Sequence, residues 1–404
     1  MKRLFLGAAA LAALVLVGGA QAQQPINVKI GIITDMSSLY ADIAGPGSVA
    51  AARLAIADFK KLHPNVNVEI LVGDHLNKPD VGTQLANQFI DVDKVDMLID
   101  TPNSGVALAI SQVAANKNVI YIVSGAAASD LTGPKCNANT IHWTYDTWML
   151  ANGTGSALVK TGGTSWFFLT SGYAFGHALE RDTMAVVKAS GGNVIGAVRH
   201  PLNTNDFSSF LLQAQASKAK VIGLANAGGD TINSIKQAAE FGIVAGGQSL
   251  AGLLVFASDV NALGLKTAQG LVLTESWYWD MNDANREWKK RWDAERKDPS
   301  KLPTMIHAGV YSAILHYLKA VVAEGGAKDG KTMVAKMKSM PTDDILFGKG
   351  TIDPNGRKRH PAYLLEVKKP DESKYPGDIY KVRATIPADQ AFRPAKDSGC
   401  PLVN

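Results

Sequence analysis

Two loops in the first third of the chain carry groups suited to binding an anion. A predicted strand at 97–99 runs into residues 100–105 (DTPNSG) as a helix begins, and a predicted strand at 119–123 runs into residues 124–129 (SGAAAS). In open α/β sheets, ligands bind beyond the carboxyl ends of the strands, near helix N-termini. Small side chains leave backbone N–H groups exposed there, and these groups can hold a carboxylate together with the Ser104 hydroxyl. Ser104 could also cap its helix, and the two roles are compatible.

Aromatic side chains are concentrated in loops that we expect near the same edge of the sheet. They are Tyr40, Trp143, Tyr145, Tyr173 and Phe175. Aromatic residues in loops, outside a core stripe, often contact ligands. The aromatic run at 277–279 could line the same region or pack beneath it. Trp288 and Trp292 are four residues apart on one predicted helical face, which predicts packing rather than binding.

Motifs that would indicate an enzyme do not stand in the position, relative to the predicted strands, that their chemistry requires. Residues 45–50 (GPGSVA) match the dinucleotide fingerprint G-x-G-x-x-A, and Glu69 follows at the spacing of a ribose-binding acid. However, residues 35–44 separate this motif from its strand, whereas the fingerprint must follow the strand at once. Ser249 lies in a nucleophile-elbow-like sequence but precedes its strand. The eight histidines have no metal-site spacing, so we expect no enzyme, no cofactor and no metal.

The N-terminus has the features of a secretory signal. Basic residues at 2–3 precede an apolar run at 4–17, and residues 20–22 (AQA) have the small-x-small spacing that signal peptidase reads. The run is shorter than the roughly 20 residues that span a bilayer, and no later stretch is predicted to span one. No Cys follows the run, so no lipid anchor is expected there. We predict a signal peptide at 1–22, cleaved after Ala22, and a soluble periplasmic protein.

Composition and charge are those of an ordinary globular protein. Hydrophobic residues make up 46% of the chain, charged residues 19%, and the formal net charge is +5. The one dense basic run, 357–360 (RKRH), follows a turn sequence at 353–356 (DPNG). We therefore predict a solvated hairpin tip there. The sequence has no recurring interleaving of aromatic residues with Lys or Arg, so no nucleic-acid partner is expected.

The two cysteines, Cys136 and Cys400, are too few for a disulfide scaffold and lack metal-site spacing. In an oxidising compartment, two lone cysteines more often pair than stay free. We predict one disulfide that ties the C-terminal tail to the loop after the fourth strand.

The order of predicted elements indicates two α/β units. In the first, strands at 28–34, 66–72, 97–99 and 119–123 alternate with helices at 46–63, 79–91 and 104–116. In the second, strands at 166–170, 194–198, 221–225 and 250–255 accompany helices at 148–160, 175–190, 207–217 and 231–241. Such alternation calls for parallel sheets covered by helices on both faces. The roughly 380 residues of the mature chain are too many for one compact core. We predict an α/β fold of two doubly wound parallel-sheet lobes with a cleft between them.

Several loop sequences resemble those of one family of binding proteins. They are residues 29–37 (KIGIITDMS), 45–47 (GPG), 101–104 (TPNS), 124–132 and 173–176 (YAFG). Over nearly the whole mature chain, the sequence resembles the periplasmic leucine/isoleucine/valine-binding receptors, the type I periplasmic binding proteins of ABC importers. The resemblance implies three hinge crossings, near Trp143, Thr274 and Phe347. The implied lobes are 23–143 with 275–346, and 144–274 with 347–404.

The resemblance also implies a ligand site. In the family, a Ser matching Ser104 and the N–H groups of a loop matching 125–127 hold the carboxylate of an amino acid. A Thr, here Ala127, and an acid of the second lobe hold the ammonium group. That acid falls near 256–258, where Asp259 is the only candidate close by. A buried amine without partners is costly, so the pattern favours an aromatic or other apolar carboxylate, as in members that bind benzoate- or cinnamate-type acids.

The expected function is that of a monomeric solute receptor that closes around a small carboxylate and docks on an ABC permease in the inner membrane. Two alternatives stay open, a receptor for branched-chain amino acids or amides and a sensor that signals to a regulatory partner. The candidate ligand-binding residues are Tyr40, Asn103, Ser104, Gly125, Ala126, Ala127, Tyr145, Tyr173, Phe175, Asn226 and Phe256.

Overall fold

The computed structural model describes residues 24–403, so the predicted signal peptide at 1–22 lies outside the described residues. The first unit consists of β1 (Ile26–Thr34), α1 (Gly45–Leu62), β2 (Val66–Asp74), α2 (Pro79–Asp91), β3 (Met97–Asp100), α3 (Ser104–Lys117), β4 (Ile120–Val123) and β5 (Thr140–His142). Its five strands are all parallel, in the order β2-β1-β3-β4-β5. The order reverses direction between β1 and β3, the position where open α/β sheets form a ligand crevice.

The second unit begins with α4 (Thr147–Leu150), a π-helical turn (Ala151–Gly155) and α5 (Ser156–Lys160). It continues with β6 (Ser165–Ser171), α6 (Ala174–Ala189), β7 (Asn193–His200), α7 (Ser208–Ala216), β8 (Val221–Ala225), α8 (Gly229–Glu240), β9 (Ser249–Gly252), α9 (Ala257–Leu263), α10 (Leu265–Ala268) and β10 (Val272–Glu275). These strands are parallel to one another and follow the order β7-β6-β8-β9-β10. A second reversal therefore lies between β6 and β8.

The last third of the chain contributes helices or strands to both units. Its elements are α11 (Asp283–Arg296), α12 (Met305–Ala323), α13 (Gly330–Ser339), β11 (Thr342–Asp344), β12 (Gly348–Ile352), β13 (Lys358–Arg359), β14 (Ala362–Val367), β15 (Tyr380–Ile386) and α14 (Ala388–Ala391). Helices α11 and α12 pack on α1, whereas β14 and β15 extend the second sheet as antiparallel strands. The predicted two-lobed α/β fold is confirmed, and the second sheet is mixed rather than wholly parallel.

The chain passes between the two sheets at three places. It leaves the first sheet after β5, returns after β10, and reaches the second sheet again at β14. A small antiparallel sheet of β11, β12 and β13 precedes this last passage and packs against α12 and α13. Residue 347, near which the resemblance places the third crossing, lies in the turn between β11 and β12, and the chain joins the second sheet at Ala362.

Helix α12 is the only helix, within residues 24–403, that is long and apolar enough to cross a membrane. From the sequence, no stretch after residue 22 is predicted to span a membrane. Most of the helix is buried inside the protein, against α1 and the first sheet. It is therefore a core helix. Trp288 and Trp292 of α11 are each 1% exposed and pack beside it, as their spacing predicts.

The basic run at 357–360 does follow a hairpin turn between β12 and β13, but the prediction that it is solvated is wrong. Arg357 and His360 are each 1% exposed and Lys358 is fully buried. The Arg357 guanidinium donates a hydrogen bond of 2.9 Å to the Tyr145 carbonyl and lies 3.6 Å from the Asp146 carboxylate. Both partners lie more than 200 residues earlier in the chain, so a local turn pattern could not reveal them.

Aromatic rings enclose the neighbouring ammonium group of Lys358. Its Nζ lies 4.8 Å from the centre of the Trp143 ring and 4.1 Å from that of Phe347. Rings can stabilise a desolvated cation in this way. Burial nevertheless lowers the pKa of Lys358 to about 8. The predicted cleft aromatic Trp143 is thus part of this buried cage, and its indole N–H donates to Ser312.

A disulfide joins Cys136, in the segment between β4 and β5, to Cys400 in the C-terminal tail. The tail leaves β15 of the second sheet and returns to the first unit, where the disulfide holds it. Along this path Phe392 is buried and its ring lies 4.7 Å from the Arg357 guanidinium. The two bonded cysteines are 264 residues apart.

Candidate functional site

A small cavity lies between the carboxyl ends of the two sheets. It is lined by Tyr40, Ile43, Pro102, Ala127, Tyr145, Tyr173, Phe175, Ala227 and Leu254. These residues follow β1, β3, β4, β5, β6, β8 and β9, so the two reversals in strand order face each other across the cavity. The lining contains no charged side chain. The volume open to the centre of a water molecule is about 10 Å³, enough for about one water, so the lobes are closed on each other.

The loop after β1 holds Tyr40 at the cavity through a buried carboxylate. Asp35 accepts hydrogen bonds from the N–H groups of Ser38 and Tyr40, each of 2.8 Å. Gly45 begins α1 with a φ of +46°, and a Cβ there would lie 2.5 Å from the Asp35 carbonyl oxygen. The glycines of the 45–50 motif therefore permit a tight helix start against this loop, which explains the match without a nucleotide.

Two tyrosines from different lobes meet at the cavity. The Tyr40 and Tyr173 hydroxyls are 2.6 Å apart and share a hydrogen bond. Burial raises the pKa of both phenols above the ordinary value, so both stay protonated at neutral pH. Tyr173 stands at the N-terminus of α6, and the Phe175 ring packs 5.9 Å from its ring. The two rings form one wall of the cavity.

Ser104 organises the loop after β4. Its Oγ accepts hydrogen bonds from the N–H groups of Ala127 (3.3 Å) and Ala128 (3.1 Å). Asn103, rather than Ser104, caps α3, because its side chain accepts from the first backbone N–H groups of the helix. The Ser104 hydroxyl proton and the Ala126 N–H have no acceptor among residues 24–403. Two donors are therefore left beside the cavity.

Tyr145 connects the cavity to the same loop. Its hydroxyl donates a 2.6 Å hydrogen bond to the Gly125 carbonyl, and Phe256 supports its ring edge-on at 6.1 Å. The Ala126 carbonyl lies 2.7 Å from Nε2 of His142. Burial lowers the pKa of His142 well below its usual value, so this ring is neutral and can donate to that carbonyl. The two groups that hold this loop, the Tyr145 hydroxyl and the His142 ring, are thus both neutral.

The predicted candidates fall into three groups. Tyr40, Ala127, Tyr145, Tyr173 and Phe175 line the cavity. Asn103, Ser104, Gly125, Ala126 and Phe256 lie behind that lining and position it. Asn226 is not brought to the cavity, because it is fully buried and its amide contacts His200, Thr231 and Ser234. Its neighbour Ala227 reaches the lining instead.

Three buried acids of the second unit lie near the cavity without lining it. Asp259 caps α9 by accepting the Phe256 N–H at 3.0 Å, and burial raises its pKa to about 7. Asp230, at the start of α8, accepts the backbone N–H groups of Asn203 and Thr204 in the loop after β7, and burial raises its pKa to about 6. Glu275 is not among the candidates predicted from the sequence. Its Oε1 accepts a hydrogen bond from the Tyr380 hydroxyl (3.2 Å), and its Oε2 has no partner within residues 24–403. The only sequence signal was an acid directly after an apolar strand pattern.

Comparison with known proteins identifies the family. Residues 27–374 match the family model described as periplasmic binding protein. The chain belongs to the periplasmic binding protein family. The sequence resemblance to these receptors is confirmed. No cluster of His, Cys, Asp and Glu that could hold a metal occurs in the described part of this binding protein.

Solved structures of related proteins have the same fold. A periplasmic binding protein from Burkholderia mallei is 51% identical, with a TM-score of 0.89 over 93% of this chain and 99% of that one. A branched-chain amino acid ABC transporter periplasmic ligand-binding protein from Burkholderia xenovorans LB400 is 38% identical, with a TM-score of 0.82 over the same shares. A solute-binding protein of an ABC transporter from R. palustris, in complex with 4-hydroxybenzoate, is 23% identical (TM-score 0.81; 90% and 97% covered). This last likeness shows the fold alone.

Proposed function

We propose that the protein is the solute receptor of an ABC importer and that it binds a small aromatic carboxylate in the cavity between its lobes. The observation that carries this proposal is the lining, in which three tyrosines and a phenylalanine meet apolar side chains and no charged group. An aromatic ring gains free energy there by burying apolar area and by packing against other rings. An amino acid would bring an ammonium group to a wall without an acid, which is costly.

The carboxylate would bind at the loop after β4. The Ser104 hydroxyl and the Ala126 N–H are donors that have no acceptor among the described residues, and a carboxylate accepts such donors readily. The small side chains of 125–128 let a ligand approach the backbone. This half of the site belongs to the first lobe, whereas Tyr173 and Phe175 belong to the second.

Import would follow from closure of the lobes. A ligand stabilises the closed form only to the extent that it contacts both lobes, and the cavity offers contacts from each. We take the three passages between the sheets as the hinge, after β5, after β10 and before β14. The closed protein would then dock on a membrane permease, a role supported by the 38%-identical relative, which is described as part of an ABC transporter.

A thermal-shift screen of the purified mature protein tests the ligand class. Benzoate or cinnamate should raise the free energy of unfolding by about 2.7 kcal/mol at a hundredfold excess over the dissociation constant. Leucine, isoleucine and valine should have no such effect. Micromolar binding of leucine, with no response to any aromatic acid, would show that the cavity has been misassigned.

Two variants test the two halves of the site by calorimetry. Ser104→Ala removes a charge-assisted hydrogen bond and should weaken binding by about 1.5–3 kcal/mol; it also removes the acceptor of two loop N–H groups, so stability must be measured alongside. Phe175→Ala should weaken binding by about as much through lost ring contact. Phe207→Ala is the matched control, because Phe207 is buried in the same unit outside the cavity. It should lower stability and leave affinity unchanged.

One observation favours a second candidate, a receptor for branched-chain amino acids. Glu275 is 1% exposed and has one carboxylate oxygen without a partner in the described chain. Wider opening of the lobes could bring an ammonium group to this oxygen. In that case Glu275→Gln would abolish leucine binding, whereas under the first proposal it would leave the binding of benzoate intact.

A further inference from the structure

We infer that the Tyr40–Tyr173 pair selects ligands with a second oxygen on the ring, distant from the carboxylate, with a ring hydroxyl as the best match. This inference rests on the proposed function and names a narrower ligand class within it. It assigns to the two tyrosines a role in specificity in addition to their ring contacts. The grounds are the hydrogen-bonding capacity of the two phenols and their placement on opposite lobes.

The two phenols carry one proton more than their contact uses. Each hydroxyl can donate one hydrogen bond, and the 2.6 Å contact between them consumes one of the two protons. Neither hydroxyl has another partner among residues 24–403; Tyr40 is only 1% exposed, whereas Tyr173 is partly exposed. The pair therefore has one donor to spare, which an oxygen of a ligand in the cavity can accept.

A ring hydroxyl satisfies both phenols at once. When a ligand separates the lobes by the width of a ring, the direct contact between Tyr40 and Tyr173 is broken. A hydroxyl between them can accept from one phenol and donate to the other. It thereby restores a hydrogen-bonded link between the lobes, as closure requires. An unsubstituted ring would leave both phenols unpaired, and sites built for a hydroxyl discriminate strongly against analogues that lack it.

The nearby charge favours a neutral oxygen at this end of the cavity. Helix α8 starts against Tyr40, since a Cβ on Gly228 would lie 3.1 Å from that ring. Asp230, in the first turn of this helix, is buried, and after burial itself its carboxylate is a further cause of the raised pKa of both phenols. A carboxylate would be repelled here, whereas a hydroxyl would not. The ligand carboxylate is thus directed to the opposite end, at Ser104 and Ala126.

Calorimetric titration of the mature protein with benzoate and with 2-, 3- and 4-hydroxybenzoate tests the inference. At least one of the 3- and 4-hydroxy acids should bind about tenfold more tightly than benzoate, the factor expected for one buried donor that gains a partner. The 2-hydroxy acid, whose hydroxyl bonds to its own carboxylate, should gain nothing. Tyr173→Phe and Tyr40→Phe should each abolish the preference, so that within each variant benzoate and the 3- and 4-hydroxy acids bind with affinities within about threefold of one another. Tyr317→Phe, a buried tyrosine outside the lining, should keep the preference.

Three results would overturn the inference, and they are distinct from one another. Equal affinity of the wild type for benzoate and all three hydroxy acids would refute the role of the pair while leaving the proposed function in place. An equal loss of benzoate and 4-hydroxybenzoate binding in Tyr173→Phe would mean that the pair holds the carboxylate or the ring. The absence of binding by any aromatic acid would overturn the proposed function and the inference together. Melting temperatures of the variants establish whether they are folded. If one variant is unfolded, the affinities of the wild type for benzoate and the three hydroxy acids still test the inference.

Discussion

The buried ion pair between Arg357 and Asp146 should be essential for stability, and Asp146→Asn is the change that tests it. Asp146 is 3% exposed and Arg357 is 1% exposed. Burial lowers the pKa of Arg357 to about 10, so the guanidinium keeps its charge at neutral pH. The amide of Asn conserves the volume of the side chain. It can also still accept the Met149 N–H, a 2.8 Å bond that caps α4, so the substitution removes the charge alone.

The expected loss is about 3 kcal/mol of unfolding free energy. Removing one partner of a buried ion pair typically costs about 3–5 kcal/mol, because the other charge is left uncompensated. The lower end applies because Arg357 keeps hydrogen bonds to the carbonyls of Tyr145 (2.9 Å) and Lys358 (3.0 Å). It also keeps the Phe392 ring at 4.7 Å.

Urea unfolding followed by tryptophan fluorescence measures the loss. The midpoint should fall while the slope with denaturant stays constant, which indicates a change in stability alone. The control is Glu287→Gln, which breaks the exposed pair with Lys290 and should cost at most about 1 kcal/mol. The double variant Asp146→Asn/Arg357→Met should recover much of the loss, because no unpaired charge remains. If Asp146→Asn lost no more unfolding free energy than the control, the stability of the protein would not depend on the buried pair between Asp146 and Arg357.

Three further predictions concern stability. Tyr145→Phe removes the 2.6 Å hydrogen bond to the loop after β4 and should lower the free energy of unfolding, measured in urea, by about 1–3 kcal/mol. Tyr317→Phe removes a hydroxyl without a partner in the described chain and should lower it little. Equal losses in the two variants would contradict this prediction. Replacing Cys136 and Cys400 by Ser should lower stability by about 2–5 kcal/mol, and two free thiols in the exported protein, detected by mass spectrometry without reductant, would refute the pairing. Lys358→Met should stabilise the protein relative to wild type most at pH 7. The pKa of Lys358 is about 8 in the folded protein and 10.5 in the unfolded chain, so between pH 8 and 10.5 the unfolded state binds more protons and wild-type stability rises with pH. The gain in unfolding free energy of Lys358→Met over wild type should therefore shrink by about 3 kcal/mol between pH 7 and pH 10.5. A gain independent of pH would contradict the burial of the amine.

Local sequence patterns were sufficient to predict the architecture and part of the candidate site. Alternation of apolar strands with amphipathic helices predicts parallel sheets, and the short connections allow few other topologies. The loops at 100–105 and 124–129 could be placed side by side because consecutive parallel strands end at the same edge of a sheet. Tyr40 and Tyr173 were identifiable because each follows a strand in a loop outside any core stripe. All of these signals lie within about one helix or strand of the residue concerned.

Only the tertiary structure decided which groups are partners. The basic run at 357–360 is buried against an acid, Asp146, and a ring, Trp143, that lie more than 200 residues earlier, and no local pattern connects them to it. The Ser104 hydroxyl binds loop N–H groups 23 and 24 residues later instead of capping its own helix. The contact between Tyr40 and Tyr173 spans 133 residues. Hydrogen bonds and ion pairs act over only a few ångströms, so their existence depends on how distant segments fold together, whereas the periodicity that forms each segment is set by residues next to one another in the chain.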